Sequence, residues 1–372
     1  MSRSRNSTAK IRYAVVGLGH IAQVAVLPAF RQAGNSELVA IVSGDAEKRK
    51  KLGKKYCLAD VYSYEQYEQA LSLVDAVYIA LPNHLHRQYT VQAAKAGVHV
   101  VCEKPMAVTV EDCEVMMEAA KRNGVRLMIA YRLHFERGNL EAIKIAHSGK
   151  LGELRMFSSE FSQQVVKNNV RVTEPVRDGG GPVYDMGVYC INAARYLFQS
   201  EPTEVLAFSA NNGEARFRKV DEMTSVVMRF PKERIATFTC SFGATDIGTY
   251  SLVGTKGRLF ADRAYEYASG LKLQVTIGEK ARTVRVPKFD QFAAELVYFS
   301  DCILRGKNPE PNGVEGLADV RIVRAIYESV RTGKVVKLPA LPGKKRPASQ
   351  QQIQRPGHGE PKTVKVQAAS GD

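Results

Sequence analysis

The strongest constraint on this chain is a glycine-rich turn set between a strand and a helix, Gly17-Leu18-Gly19-His20-Ile21-Ala22. The apolar run Ile11-Arg12-Tyr13-Ala14-Val15-Val16 predicts a strand before it, and residues 21–33 carry helical spacing after it. In that setting the first glycine permits a tight turn, the second permits close approach of a pyrophosphate, and Ala22 lets the helix pack closely on the sheet. Without the flanking strand and helix the same pattern is a weak signal.

The alternation continues to about residue 135. Strands at 38–42, 75–81, 98–102 and 126–130 are separated by helices at 45–55, 86–96 and 110–123. Helical crossovers of that length imply a parallel, doubly wound sheet. The pattern changes after Gly152. Strand candidates at 154–161, 204–210, 225–230, 234–241, 250–254, 258–261 and 271–277 lie close together, which predicts a mostly antiparallel sheet, and Pro231-Lys232-Glu233 supplies a hairpin turn. Helices are expected at 183–198, 289–304 and 316–331. The fold class is therefore α/β: an N-terminal Rossmann domain over 11–135 and an α+β domain over 136–341. A flexible N-terminus covers 1–10, and a disordered basic tail rich in Pro, Gln, Gly, Lys and Ser covers 342–372.

A length of 372 residues with 45% hydrophobic content is enough for two cores. No apolar run approaches the roughly 20 residues that span a bilayer, and the start shows no signal-peptide core, so no membrane association and a cytoplasmic location are expected. The six cysteines are scattered without metal-like spacing, consistent with reduced thiols. The net charge of +15 would suit nucleic acid, but much of it lies at the two ends, in Arg3, Arg5 and Lys10 and in Lys344, Lys345, Arg346, Arg355, Lys362 and Lys365. No nucleic-acid motif accompanies it, so no nucleic-acid partner is expected.

Cofactor choice is written at the end of the second strand. An NAD-preferring domain usually carries Asp or Glu there for the ribose 2′-hydroxyl, whereas this chain has Ser43-Gly44 followed by Lys48 and Arg49. Serine can donate to a 2′-phosphate and lysine can neutralise it, which favours NADP over NAD. Asp45 is the competing acidic candidate; its alternative use is to cap the helix that follows. Lys48 to Lys51 could also be partly a solvated helix face. Further on, Glu103-Lys104-Pro105 closes the apolar run 98–102, so Lys104 stands at the carboxyl end of a parallel strand, where open α/β sheets bind ligands.

Together with Val42-Ser43-Gly44-Asp45-Ala46-Glu47-Lys48, Leu81-Pro82-Asn83 with His86, and Asp185-Met186-Gly187-Val188-Tyr189, these motifs make the chain resemble the Gfo/Idh/MocA oxidoreductase family over residues 11–340. The Val-Ser-Gly segment, Gly179-Gly180-Gly181, Tyr189 where most members have histidine, and Ala325-Ile326-Tyr327-Glu328 before Arg331-Thr332-Gly333 resemble its glucose-fructose oxidoreductase branch. The resemblance implies an open antiparallel sheet supporting a homodimer or homotetramer. It implies NADP contacts at Gly17, Gly19, Ser43, Gly44, Lys48, Tyr64, Leu81, Pro82, Asn83, His86, Glu103 and Arg132, with Leu18, His20 and Ile21 in the same turn. It places Lys104 beside the nicotinamide, and Asp185 and Tyr189 at a sugar substrate.

Oxidising an alcohol requires a hydride acceptor and a base for the hydroxyl proton. A tyrosine with its ordinary pKa of about 10 is a poor base at neutral pH unless a cation stabilises the phenolate. Lys104 could supply that cation, with Tyr189 transferring the proton and Asp185 fixing either a sugar hydroxyl or the lysine; the roles of Lys104 and Tyr189 could be exchanged. Other uses exist for each: Tyr189 as a core residue, Asp185 as a helix cap, Lys104 as a surface residue. His84 and His86 lack a third ligand, so no metal is expected. The chain has no tryptophan and shows Val170-Arg171-Val172 and Arg177 where the branch has a Trp-Arg pair, which leaves the sugar open. The expected function is an NADP-dependent oxidoreductase that takes an aldose or polyol to its lactone or carbonyl product, coupled to reduction of a second sugar if NADPH stays bound. The alternative is a non-catalytic nucleotide-sensing regulator of the same fold.

Overall fold

The computed structural model describes residues 9–341, 347, 351–359 and 361–369. The first sheet is built from β1 (Ile11–Val16), β2 (Ser36–Val42), β3 (Asp60–Tyr62), β4 (Ala76–Ile79), β5 (His99–Cys102) and β6 (Leu127–Ile129). Every pairing in it is parallel, in the order β3-β2-β1-β4-β5-β6. The order reverses between β1 and β4, which opens a crevice at the carboxyl ends of those strands. Apart from the exposed Arg12 near the start of β1, its central strands are buried on both faces and so read as nearly continuous apolar runs. The short β3, with polar neighbours, gives no such run and was not expected from the sequence.

The helix after the glycine turn contains a π-helical turn, Ala22–Val26, that continues into α1 (Leu27–Ala29). It is shorter than expected; Pro28 has no N–H to return to residue 24, which suits a widened turn. The remaining crossovers are α2 (Ala46–Tyr56), α4 (His86–Lys95) and α5 (Val110–Arg122), close to their expected bounds, and the short α3 (Tyr67–Leu71), which the sequence does not announce.

Beyond α6 (Arg137–Ala146) the chain forms β7 (Leu154–Ser162), α7 (Val170–Thr173), α8 (Val188–Phe198), β8 (Glu204–Ala210), β9 (Met223–Phe230), β10 (Arg234–Ser241), β11 (Ile247–Gly254), β12 (Gly257–Asp262), β13 (Leu271–Ile277) and β14 (Lys280–Val286). There follow α9 (Gln291–Leu304), α10 (Gly313–Thr332) and β15 (Val336–Lys337). The nine strands form one open sheet, β14-β13-β12-β11-β7-β10-β9-β8-β15, antiparallel except where β10 meets β7. Along β9 buried and exposed residues alternate, as one covered and one open face require.

Two features depart from the simple division at residue 135. Helix α9 lies against the first sheet, where Phe292, Ala293, Leu296 and Phe299 share a core with Tyr13 and Val15, and the Tyr13 and Ser300 hydroxyls are 2.8 Å apart. The chain beyond β15 differs from the expected disordered tail wherever it is described. Gln351 is buried and lies 3.3 Å from the His134 ring, Asp290 N–H donates to the Arg355 carbonyl, Val364 pairs with Gln23, and Ala369 is buried in the larger core. Its polar composition is satisfied by hydrogen bonds to the body rather than by a core of its own. Residues 1–8 of the expected flexible N-terminus, and 342–346, 348–350, 360 and 370–372 of the expected tail, lie outside the described residues.

Candidate active site

The crevice begins at the glycine turn. Gly17 has φ of 93°, and a Cβ there would stand 2.3 Å from the Ala80 carbonyl oxygen; only glycine fits. Gly19 has nothing within 4 Å of where its Cβ would be, so backbone approach to this turn is open. Leu18 is buried, while His20 and Ile21 are half-buried at the rim. Burial lowers the His20 pKa and the charge of Arg171, reaching from the other side of the crevice, lowers it further.

At the end of β2, Ser43 is buried and Gly44 packs under the Tyr64 ring, whose carbon would stand 3.2 Å from an added Cβ. The Asp45 carboxylate accepts from the N–H groups of Glu47 (2.8 Å) and Lys48 (3.0 Å) and so caps α2. The acidic candidate is engaged in a helix cap, while Lys48 stays half-buried in the first turn of α2 and Arg49 donates to the Ser43 carbonyl. The open glycine cradle and this basic turn fit a dinucleotide whose ribose carries a 2′-phosphate.

Across the reversal in strand order, Leu81 is buried, Pro82 follows it, and the Asn83 amide donates to the Gly179 carbonyl at 2.7 Å, joining the two layers. His86 is placed behind the crevice. Its ring nitrogens lie 3.0 Å from the Pro105 carbonyl and 2.9 Å from the Leu81 carbonyl, and burial lowers its pKa. It therefore pins the Lys104-Pro105 segment to β4 and is not free to bind a metal with His84. Among the described residues no group of three or more His, Cys, Asp or Glu is arranged to hold a metal ion.

Lys104 and Asp185 meet at the bottom of the site. The Lys104 ammonium donates to the Asp185 carbonyl (2.9 Å) and carboxylate (3.1 Å) and lies 4.7 Å from the centre of the Tyr189 ring. Burial pulls its pKa down, but Tyr189, Asp185 and Glu103 outweigh burial and the net direction is up. For Asp185, burial raises the pKa, and Arg171 and Lys104 together bring it below the ordinary carboxylate range. Asp185 sits in a π-helical turn, Val183–Gly187, that runs directly into α8, so Asp185 and Tyr189 project one turn apart.

The cation that touches the Tyr189 oxygen is Arg132, whose Nε donates to it at 3.2 Å, with the guanidinium 4.7 Å from the ring centre. Lys104 instead faces the ring. The sequence expectation that lysine alone would support the phenolate therefore needs this arginine added. Arg132 is buried and fixed by Gln291 (3.0 Å) and the Tyr265 carbonyl. Glu103 is buried below, accepting from Tyr78 at 2.8 Å, and burial raises its pKa.

Residues 11–131 match the family model described as an oxidoreductase family with an NAD-binding Rossmann fold, and residues 139–260 match the GFO/IDH/MocA C-terminal domain. An uncharacterized oxidoreductase of Rhizobium meliloti is 31% identical over 87% of this chain and 98% of its own length. This chain belongs to the GFO/IDH/MocA oxidoreductase family. Among solved structures, an aldose-aldose oxidoreductase from Caulobacter crescentus, complexed with glycerol, superposes with a TM-score of 0.84 at 37% identity, covering 88% of this chain and 100% of that one. A D-xylose 1-dehydrogenase [NADP(+)] of Haloarcula marismortui is 28% identical over 88% of this chain and 93% of its own.

Several residues of this GFO/IDH/MocA site escaped sequence reasoning. Arg171, from α7, binds Asp185 through its Nε at 2.5 Å. Tyr267 from the β12–β13 connection, Phe161 from β7 and Gln291 from α9 approach Arg132 and Tyr189. Only the position of Arg171, in a region where the chain departs from the branch pattern, gave a signal. The others are brought in by the second sheet and by α9, and no local spacing marks them.

Proposed function

We propose that this protein is an NADP-dependent oxidoreductase acting at a CH–OH carbon of an aldose or related polyol. The observation that carries the reading is the convergence of Lys104, Asp185, Arg132 and Tyr189 at the carboxyl end of β5, beside the crevice that starts at Gly17. The NADP-dependent xylose dehydrogenase and the aldose-aldose oxidoreductase above support the same cofactor and substrate class.

Bound in the crevice, NADP supplies the carbon that accepts or returns a hydride. The chain's own residues handle the rest. Tyr189 exchanges a proton with the reacting hydroxyl at its phenol oxygen, to which the Arg132 N–H donates while the Lys104 charge lies against the ring. Lys104 stays an ammonium, donates to the reacting oxygen and orients it, while Asp185 holds Lys104 and is held in turn by Arg171. In the reductive direction the same phenol returns the proton. Tyr267 and Phe161, both half-buried beside Tyr189, offer faces for a sugar ring in a chain without tryptophan.

The outer face of the open sheet carries exposed Met156, Phe208, Met223 and Val227, which fits burial against a second copy in a homodimer or homotetramer. Five of the six cysteines are buried and all are free, which fits a reducing cytoplasm. No described helix is long and apolar enough to cross a membrane. Absorbance tests the enzymatic reading directly: adding an aldose to protein with NADP should raise the reduced-nicotinamide band, whereas binding of NADP with no turnover of any aldose or polyol would point to the regulator.

A further inference from the structure

The described C-terminal residues do not merely rest on the surface; they cross the dinucleotide crevice. Val364 and Lys365 are neighbours in the chain and bind two adjacent loops, the glycine turn after β1 and the start of α2 after β2. The Gln23 side chain donates to the Leu18 carbonyl and the Val364 carbonyl, each at 2.9 Å, and accepts from the Val364 N–H at 2.7 Å. This ties the segment to the glycine turn, where the pyrophosphate belongs. The Lys365 ammonium lies 2.6 Å from the Glu47 carboxylate and 3.6 Å from that of Asp45, at the end of β2 where the ribose belongs.

The crossing is anchored on both sides. Before it, Lys55 donates to the Lys362 carbonyl at 2.9 Å, and after it the Val166 N–H donates to the Ala369 carbonyl at 2.9 Å. Val364 packs on the core of the first sheet and Ala369 is buried in that of the second. Lys365 adopts a left-handed backbone with φ of 47°, a conformation uncommon for lysine that persists when surrounding contacts impose it. Its charge also reaches Lys48: burial lowers the Lys48 pKa, Asp45 opposes that, and Lys365 adds to the lowering. The basic turn thus gains a cation from the far end of the chain.

We propose that residues 362–369 form a strap over the NADP crevice, with Lys365 as its latch, and that the strap slows release of the cofactor so that it can be reduced and reoxidised in place. The proposal rests on the cofactor reading above. It gives the chain a device for alternating oxidation of one sugar with reduction of another, since a retained nicotinamide must be turned back by a second substrate.

The test follows cofactor release rather than turnover. Wild-type protein loaded with NADPH is mixed with a large excess of NADP, and the decay of protein-bound NADPH fluorescence gives the release rate. Lys365→Glu places a like charge against Asp45 and Glu47 and should speed release by about tenfold, since such changes act mainly on dissociation. A chain ended after Pro361 should release NADPH roughly a hundredfold faster, by the same effect on dissociation, and lose it on gel filtration. If the shortened chain fails to fold, Lys365→Glu decides, because that side chain is exposed. NADPH uptake with a wild-type release rate in the folded variants overturns the strap alone. Failure of wild-type protein to take up NADPH overturns the cofactor reading on which the strap rests.

Discussion

At the scale of single residues, Asp45 shows how local competition sets specificity. The Asp45 carboxylate accepts two N–H groups at the start of α2, which leaves Ser43 and Lys48 as the residues we propose to select the cofactor. Ser43→Asp should therefore shift preference from NADP toward NAD by roughly tenfold or more through repulsion of the 2′-phosphate, read as the ratio of kcat/KM for the two cofactors. Lys104→Ala should lower kcat by about a hundredfold or more while NADPH binding, followed by fluorescence, holds. Tyr189→Phe should do the same and, unlike Lys104→Ala, remove the basic requirement from the pH–rate profile; a profile that survives in Tyr189→Phe would exchange the two roles. The sign of the pair's own pH dependence follows from its shifts. Asp185 is depressed, so its share of the ion pair is lost as pH falls through its folded pKa; Lys104 is raised, so its share is lost only as pH rises through a pKa above the ordinary lysine range. The pair should be intact across the neutral range.

At the scale of elements, the glycine turn couples two strands. A Cβ on Gly17 would strike the Ala80 carbonyl at the end of β4, so Gly17→Ala should cost about 1–3 kcal/mol from overpacking and more from its positive φ, measured by thermal or denaturant unfolding. This close approach was legible because spaced glycines between a strand and a helix answer a local steric need, a positive φ and room for neighbouring backbone. The β9–β10 hairpin was legible too, with Lys232 and Glu233 both in the left-handed region at its turn. Strand β14 was not, because Lys280, Arg282 and Arg285 break its apolar alternation, and an edge strand is free to carry such charges. Helix α9 was legible as an amphipathic helix, but its partner sheet was not: periodicity says that a face is apolar and does not say what covers it.

At the scale of the whole molecule, a buried charge network joins α8 to α10. Arg195 binds Glu201 (2.7 Å), Glu315 (2.6 Å) and Asp319 (2.7 Å), and its own side chain is 3% exposed. Arg195→Met would strand these carboxylates and should cost about 3–5 kcal/mol of stability. One cation among three carboxylates leaves an excess of negative charge. Burial pushes the Asp319 carboxyl up to about 7, with Arg195 pulling the other way. Because this pKa is raised on folding, the folded protein holds more protons through the window from the ordinary Asp range to about pH 7, and the contribution of Asp319 to stability falls as pH rises through it. Compared with Asp319→Asn, wild-type protein should lose melting temperature between acidic and neutral pH, and a parallel pair of melting profiles would refute the assignment.

The sequence by itself determined the parallel sheet, the glycine turn, the basic end of β2 and the place of Lys104 after β5, because each is a local pattern with a local steric or electrostatic cause; Asp185 and Tyr189 were marked only by the family resemblance. Tertiary structure decided which of these side chains touch. It set Arg132 on the Tyr189 oxygen, brought Arg171 to Asp185, turned His86 behind the site, and laid the polar C-terminal residues across the crevice. Those contacts join residues far apart in the chain, and hydrogen bonds between such partners leave no periodicity in the sequence that could announce them.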